Sequence, residues 1–190
     1  GIYFSEVKKF KDKDILIIGL DTRYFRSSLE GKRKNYLSTN DINKTILGSH
    51  QWNWLTEEMK KDVDFIILVS SIQILATNHG FEKWNNFPQE RKRLLSLIKE
   101  SNKRVILISG DRHKGGIYKY NNLYELTSSS LNKPLPIWLQ GFFGKETDPL
   151  LIDEMHYVAN YGVVTIDETG LIKISLKDNN GKVLQEIEID

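Results

Sequence analysis

The run Ser109-Gly110-Asp111-Arg112-His113 sets a carboxylate and an imidazole two residues apart, just after a glycine that gives the backbone room to turn. At that spacing both side chains can point at one metal-filled cavity. A metal pair there would bind phosphate oxygens, lower the pKa of a bridging water and stabilise in-line displacement. The same residues also suit a plain surface turn, with Asp111 accepting backbone hydrogen bonds and His113 solvated. Asp21-Thr22-Arg23 is the second candidate, because the planar guanidinium of Arg23 could fork onto phosphate oxygens. A buried structural pair between Asp21 and Arg23 is the alternative. His50, His79 and His156 stand isolated and read as packing or capping residues, and Lys32-Arg33-Lys34 reads as a solvated loop. Trp52, Trp54, Trp84 and Phe87 read first as core, although Trp84 and Phe87 lie in a loop-like stretch that could line a pocket.

Three apolar runs must deliver these residues. Ile15 to Leu20 ends at Asp21-Thr22, Phe65 to Val69 ends at Ser70-Ser71, and Arg104 to Ser109 ends at Gly110-Asp111. Each is rich in β-branched residues and leads into polar ones, which predicts buried central strands whose carboxyl ends share one edge. Ligands bind at such an edge in layered α/β folds. Between the runs, Trp52, Leu55 and Met59 at helical spacing predict a helix over about Gln51 to Lys61 with Ser49 as N-cap. A second helix is expected from Pro88 to Asn102, with Leu94, Leu95 and Ile98 on one face.

After Asp111 the pattern changes. Ile117 to Tyr120 and Tyr124 to Thr127 flank Asn121-Asn122 as a hairpin, and the Pro- and Gly-containing stretch from Lys133 to Pro149 reads as loop with a short helix. Reversals at Glu168-Thr169-Gly170 and Asn180-Gly181 then join Val163 to Ile166, Ile172 to Leu176 and Val183 to Ile189 into an antiparallel meander. The expectation is one unit over residues 1–190, with a motif-bearing α/β part to 132, a loop region over 133–160 and a terminal meander over 161–190.

The composition suits a folded chain of 190 residues, 27% charged, 39% hydrophobic and 11% aromatic. A net charge of +2 implies no overall electrostatic grip on nucleic acid or an anionic membrane. The absence of cysteine excludes disulfides, zinc-thiolate sites and thiol nucleophiles from this segment. No apolar run is long enough for a membrane span. The strand-like start Gly1-Ile2-Tyr3-Phe4, without a methionine, reads as a boundary with further sequence upstream.

Several segments, in order, resemble the PhoD-like alkaline phosphatase and phosphodiesterase family of the metallophosphoesterase superfamily. They are Gly1 to Phe4, Leu20 to Arg26, Leu47-Gly48 with Gln51-Trp52 and Trp54-Leu55, Ser70 to Gln73, Glu82 through Trp84 to Pro88 and Arg91, Ser109 to His113, and Tyr124 to Ser129. The resemblance covers most of residues 1–132. It implies a metallophosphoesterase-type layered α/β sandwich, hydrolysis of phosphate monoesters or diesters, a metal cluster of calcium with iron or other divalent metals, and an exported, periplasmic or cell-surface location. By the same resemblance Asp111 ligates metal, His113 ligates metal or hydrogen-bonds the leaving oxygen, and Arg23 is structural or contacts phosphate. The family's earlier motifs, a cysteine-containing opening, a Gly-Asp loop and a Trp-Asp-Asp-His-Asp-type run, have no counterpart here. The resemblance therefore implies a carboxy-terminal half that needs its amino-terminal half, in the same precursor or as a separate chain, to complete the site. A non-catalytic binding or assembly module on the same fold is the alternative.

Overall fold

The computed structural model describes residues 1–134, 136 and 146–189. In chain order the elements are β1 (Phe4–Phe10), β2 (Lys13–Gly19), β3 (Glu30–Lys32), β4 (Asn35–Leu37), α1 (Gly48–Glu58), β5 (Phe65–Ser70), α2 (Pro88–Ser101), β6 (Arg104–Ser109), β7 (Gly115–Tyr120), β8 (Leu123–Ser128), β9 (Leu151–His156), β10 (Asn160–Ile166), β11 (Ile172–Asp178) and β12 (Val183–Ile189). The three aliphatic runs become the parallel strands β2, β5 and β6 at the centre of a seven-stranded mixed sheet ordered β1-β2-β5-β6-β8-β7-β9. Their shared register puts Ile17, Ile67 and Ile106 in one row and Gly19, Val69 and Ile108 in the next.

One face of this sheet is covered by both helices. Leu16, Ile18, Ile66, Leu68, Val105 and Leu107 are buried there with Trp52, Leu55 and Met59 of α1 and Leu94 and Ile98 of α2. The other face carries a second layer, the antiparallel sheet β10-β11-β12, whose Ile172, Ile174 and Leu176 close on Phe65, Ile106, Ile117 and Leu126. This is the layered phosphoesterase-type arrangement of a mixed sheet, two helices and a terminal meander.

Helix α2 matches expectation at both ends, with Pro88 in its first turn and Asn102 left-handed at its C-cap. Helix α1 begins earlier than expected, at Gly48, and Ser49 lies inside its first turn rather than capping it. The cap comes instead from Thr45, whose hydroxyl accepts the Gly48 N–H at 2.9 Å. Strand β9 corrects the expected loop over 133–160: Leu151 to His156 pairs with β7 at the sheet edge. Most of the expected Lys133–Pro149 loop and helix falls outside the described residues. Lys32-Arg33-Lys34 is exposed, as expected, but Lys32 ends β3 and Arg33-Lys34 form the turn of the short β3-β4 hairpin, with Lys34 at φ 70°. Among the described residues no helix is long and apolar enough to cross a membrane.

Glu90, in the first turn of α2, ties the helical layer together. Its buried carboxylate accepts hydrogen bonds from Trp52 Nε1 at 2.8 Å, Thr45 Oγ1 at 2.7 Å and the Ile46 N–H at 2.7 Å. The side chain thus joins α1, α2 and the loop that caps α1. Removing it leaves three donors without an acceptor in a dry interior, where each costs roughly 1–3 kcal/mol. Glu90→Ala is therefore expected to lower unfolding free energy by about 3 kcal/mol or more in urea denaturation. Ile42→Ala, at a residue 75% exposed, stays within about 0.5 kcal/mol.

Candidate active site

The parallel register brings the ends of β2, β5 and β6 to one edge. Past β2, the Leu20 N–H still bonds the Val69 carbonyl at 2.9 Å, and then the chain leaves the sheet. Asp21 governs that exit. One carboxylate oxygen accepts the N–H groups of Arg23 and Tyr24, each at 2.9 Å, and the other accepts that of Ile2 at 3.0 Å. Burial works against its charge, but these backbone donors outweigh it and hold the carboxyl below the usual aspartate range. Gln51 clamps the same residue from α1, bonding both the Asp21 N–H and its carbonyl at 2.8 Å. The expected Asp21–Arg23 pair is thus corrected: Asp21 engages the backbone of Arg23, not its guanidinium. Beside it, the hydroxyls of Thr22 and Ser71 lie 2.5 Å apart.

Past β6 the chain makes the turn Gly110 to His113 with Asp111 at φ 58° and His113 at φ 53°. Left-handed backbone costs a non-glycine residue roughly 1–2 kcal/mol and persists only where surroundings enforce it. Ser129, just after β8, is the enforcing residue. Its hydroxyl oxygen accepts the N–H of Arg112 at 2.8 Å and of His113 at 3.0 Å. Asp111 and His113 are exposed, while Arg112 between them is buried against Glu146 and the Phe81 ring. The Nδ1 of His113 lies 3.0 Å from the Lys133 carbonyl, which requires Nδ1 to donate and leaves the lone pair on Nε2.

Arg23 crosses from the β2 exit to this turn. Its Nη2 bonds Asp111 Oδ2 at 3.0 Å across 88 residues of sequence. Its Nη1 lies 3.3 Å from Glu82, which also meets Arg26 at 3.1 Å. The Asp111 and Arg23 side chains are about half exposed (49% and 56%), so their pair is worth roughly 1 kcal/mol or less. What it supplies is position: two residues singled out by type and spacing meet at one edge.

Behind the turn lies a cationic cluster of Lys83, Arg112 and Lys114 around Glu146 and His79. His79 Nε2 lies 2.9 Å from Gln73 Oε1, and its Nδ1 accepts the Phe81 N–H at 3.2 Å. Burial, and then the charges of Arg112, Lys83 and Lys114, pull its pKa down to about 2. His79 is thus a neutral packing residue, as expected. Trp84 and Phe87 are buried core residues, and the Trp84 indole donates to Ser70 Oγ at 3.0 Å, so neither lines a pocket.

The structure brings Arg23, Asp111 and His113 to one edge, and among the described residues no group of three His, Asp or Glu could hold a metal ion. By type, Asp111 and the free Nε2 of His113 fit a hard divalent metal; by number they make only part of its shell. Glu82, Arg26 and Ser129 lie within the segments that carry the family resemblance, and nothing in their type or spacing marks a role at the site. Glu82 and Arg26 carried no local signal, because their meaning lies in a contact with the distant Arg23.

These features define a phosphoesterase-type α/β layered protein with polar groups gathered at the carboxyl edge of its parallel strands. The family model for PhoD-like phosphatases matches residues 14–179, and the chain belongs to that family. A search of curated proteins gives no match. Among solved structures, the chain is similar to GAP50, described as the anchor in the inner membrane complex of Plasmodium, with a TM-score of 0.67 at 16% identity. That similarity covers 99% of this chain and 53% of the other, so this chain spans about half the length of the solved structure. A putative 5'-nucleotidase from Staphylococcus aureus, in complex with alpha-ketoglutarate, is similar over 87% of this chain and 31% of its own at 14% identity, with a TM-score of 0.37.

The depressed pKa of His79 has a pH consequence with a definite sign. Below its ordinary pKa of 6.5 the unfolded chain binds a proton at this residue, whereas the folded chain does not until about pH 2. Folding stability from His79 is therefore complete above pH 6.5 and falls as pH falls, by about 1.4 kcal/mol per unit. Denaturation at pH 6 and pH 4 should show this slope, and His79→Gln should make it shallower by about that amount. An imidazole resonance of His79 that titrates between pH 5 and 7 would contradict the assignment.

Proposed function

We propose that this chain is the carboxy-terminal half of a PhoD-like phosphoesterase that hydrolyses phosphate monoesters or diesters, with its amino-terminal half supplying the rest of the site. The observation that carries the reading is the turn Asp111 to His113. Two potential ligands sit there on left-handed backbone, held by Ser129 where three parallel strands end. Strain retained at such a position points to function rather than to stability. The family match supports the chemistry, and coverage of 53% of a similar solved chain supports the partial site.

In this reading Asp111 and the Nε2 of His113 are metal ligands, with calcium and iron the metals implied by family resemblance. Held there by Asp111 and His113, such a metal group would supply Lewis-acid polarisation of the phosphate and a hydroxide nucleophile at neutral pH. Arg23 is held at the edge by Glu82, with one nitrogen on Asp111. Once Asp111 is engaged elsewhere, that nitrogen is left for a phosphate oxygen, which its fork geometry suits. Alternatively, His113 hydrogen-bonds the leaving oxygen.

A non-catalytic binding or assembly module is the second reading. What favours it is that Asp111 already has a cationic partner. One experiment separates the two. The chain joined to its upstream half, loaded with calcium and iron, is assayed on a chromogenic phosphomonoester and a phosphodiester. Turnover is expected, falling about 100-fold or more in Asp111→Ala and less steeply in Arg23→Ala, while the 190-residue chain alone is inactive. Hydrolysis that survives Asp111→Ala unchanged rejects the catalytic assignment.

A further inference from the structure

Helix α2 carries a basic stripe. Arg91, Lys92, Leu95, Ser96, Lys99 and, just past the helix end, Lys103 follow one another at helical spacing and line one wall of a groove of about 1100 Å³. The other wall is the β7-β8 turn, from Tyr120, 42% exposed, through Asn121 and Asn122 to Tyr124. Lys119 Nζ stands 5.1 Å from the centre of the Tyr124 ring. Leu95, Leu123 and Tyr124, all half-buried, make part of the lining apolar. The groove follows α2 from Pro88 to Asn102, and the 14 residues of that helix measure about 21 Å. An extended peptide of about six residues has the same length.

The charge of this groove is one-sided. Among the described residues no carboxylate lies within ion-pair distance of Lys92, Lys99, Lys103 or Arg104, whereas Lys13, Lys44 and Lys60 elsewhere on the surface each have one. Lys103 Nζ donates to the Met59 carbonyl at 3.1 Å, and Arg104 donates to the carbonyls of Gly170 and Ile189 at 2.7 and 3.2 Å. Neutral acceptors of this kind fix a cationic head without cancelling its charge. Arg91 differs, because the buried Glu125 opposes its charge. Glu188, an acid in the lining, is already paired with Lys173 at 2.9 Å. Fixed cations around a low-dielectric cleft focus a positive potential along it.

We infer that this groove docks an extended acidic segment of a partner protein. Carboxylates of that segment meet Lys92, Lys99, Lys103 and Arg104, and an interspersed apolar side chain settles against Leu95, Leu123 and Tyr124. Backbone groups of an extended segment need partners of their own, which the side-chain amides of Asn121 and Asn122 can supply. A nucleic-acid strand suits the groove less well. Its bases call for a run of stacking rings where this lining is partly aliphatic, and a net charge of +2 gives the chain no general attraction for phosphates. Lys99, Lys103, Arg104 and the β7-β8 turn stand at the amino ends of the parallel strands, whereas Asp111 follows their carboxyl ends. Docking here is therefore independent of the catalytic reading.

Fluorescence anisotropy on the full product of the gene tests the inference. Four dye-labelled probes of equal length are compared: a peptide alternating Glu with Leu, one alternating Glu with Ser, one alternating Lys with Leu, and an oligothymidylate. The Glu-Leu peptide is expected to bind at least tenfold more tightly than each of the others, and less tightly as ionic strength rises. Lys92→Glu with Lys99→Glu should weaken it at least tenfold; both residues are exposed and without ion-pair partners, so the fold is retained. Lys8→Glu with Lys9→Glu, on the remote edge strand β1, makes the same change in net charge and should leave binding within twofold. Absence of binding by the Glu-Leu peptide, tighter binding of the oligothymidylate, or equal losses in the two double variants overturns the inference. Equal affinity for the Glu-Leu and Glu-Ser peptides rejects the apolar contact and leaves a plain anion-binding surface, which also overturns it.

Discussion

The register of β2, β5 and β6 is the constraint on which the remaining structure depends. Side chains alternate along a strand, so a slip of one residue would turn Ile18, Leu68 and Leu107 away from the helices and bring the other rows under them. The same register decides which loops meet. Because Ser70 stands opposite Ser109, and β2 ends one step behind, the segments beginning at Asp21, Ser71 and Gly110 leave the sheet side by side. The meeting of Arg23 with Asp111 is a consequence of sheet pairing. Their own attraction, half exposed to water, is too weak to have created it.

Buried carboxylates then fix the loops that the register brings together. Glu90 does this for the helical layer, and Glu125 does it for the loop after β5. Fully buried on β8, Glu125 accepts the N–H groups of Ile74 and Leu75 at 2.8 and 2.6 Å, while Arg91 bonds the carbonyls of the same two residues. Burial pushes its pKa up, against the opposing pull of Ser109, the two amides and Arg91. Loops carry unpaired backbone groups by nature, and a carboxylate with several lone pairs can satisfy more of them than any neutral side chain. The residues that hold this fold's irregular parts are therefore acidic side chains rich in acceptors, although they lie inside it.

That pattern explains what could be read in the sequence. The central strands, α2, the β7-β8 hairpin and the meander were legible because periodicity and turn residues are local properties. The Asp111–His113 turn was legible through spacing, and Arg23 through its place after a strand. The cap of α1 was misread because the donors near Gly48 are satisfied by Thr45 and Glu90, one of them 42 residues away, whereas Ser49 offered the local signal. Strand β9 was missed since Leu151-Ile152-Asp153-Glu154 alternates poorly; its edge position beside β7 lets Asp153 and Glu154 face water. Glu82 and Arg26 took on meaning only through partners that sequence distance hides.

The core and the candidate site are two aspects of one geometry. Ile17, Ile67, Val69 and Ile108 stand on the later parts of the parallel strands and belong to neither buried cluster, and those parts lead to Asp21, Ser71 and Gly110. The Asp111–Arg23 pair is half exposed to water and too weak to shape the turn. The backbone is fixed instead by Ser129, whose hydroxyl accepts the N–H groups of Arg112 and His113 and keeps Asp111 and His113 left-handed.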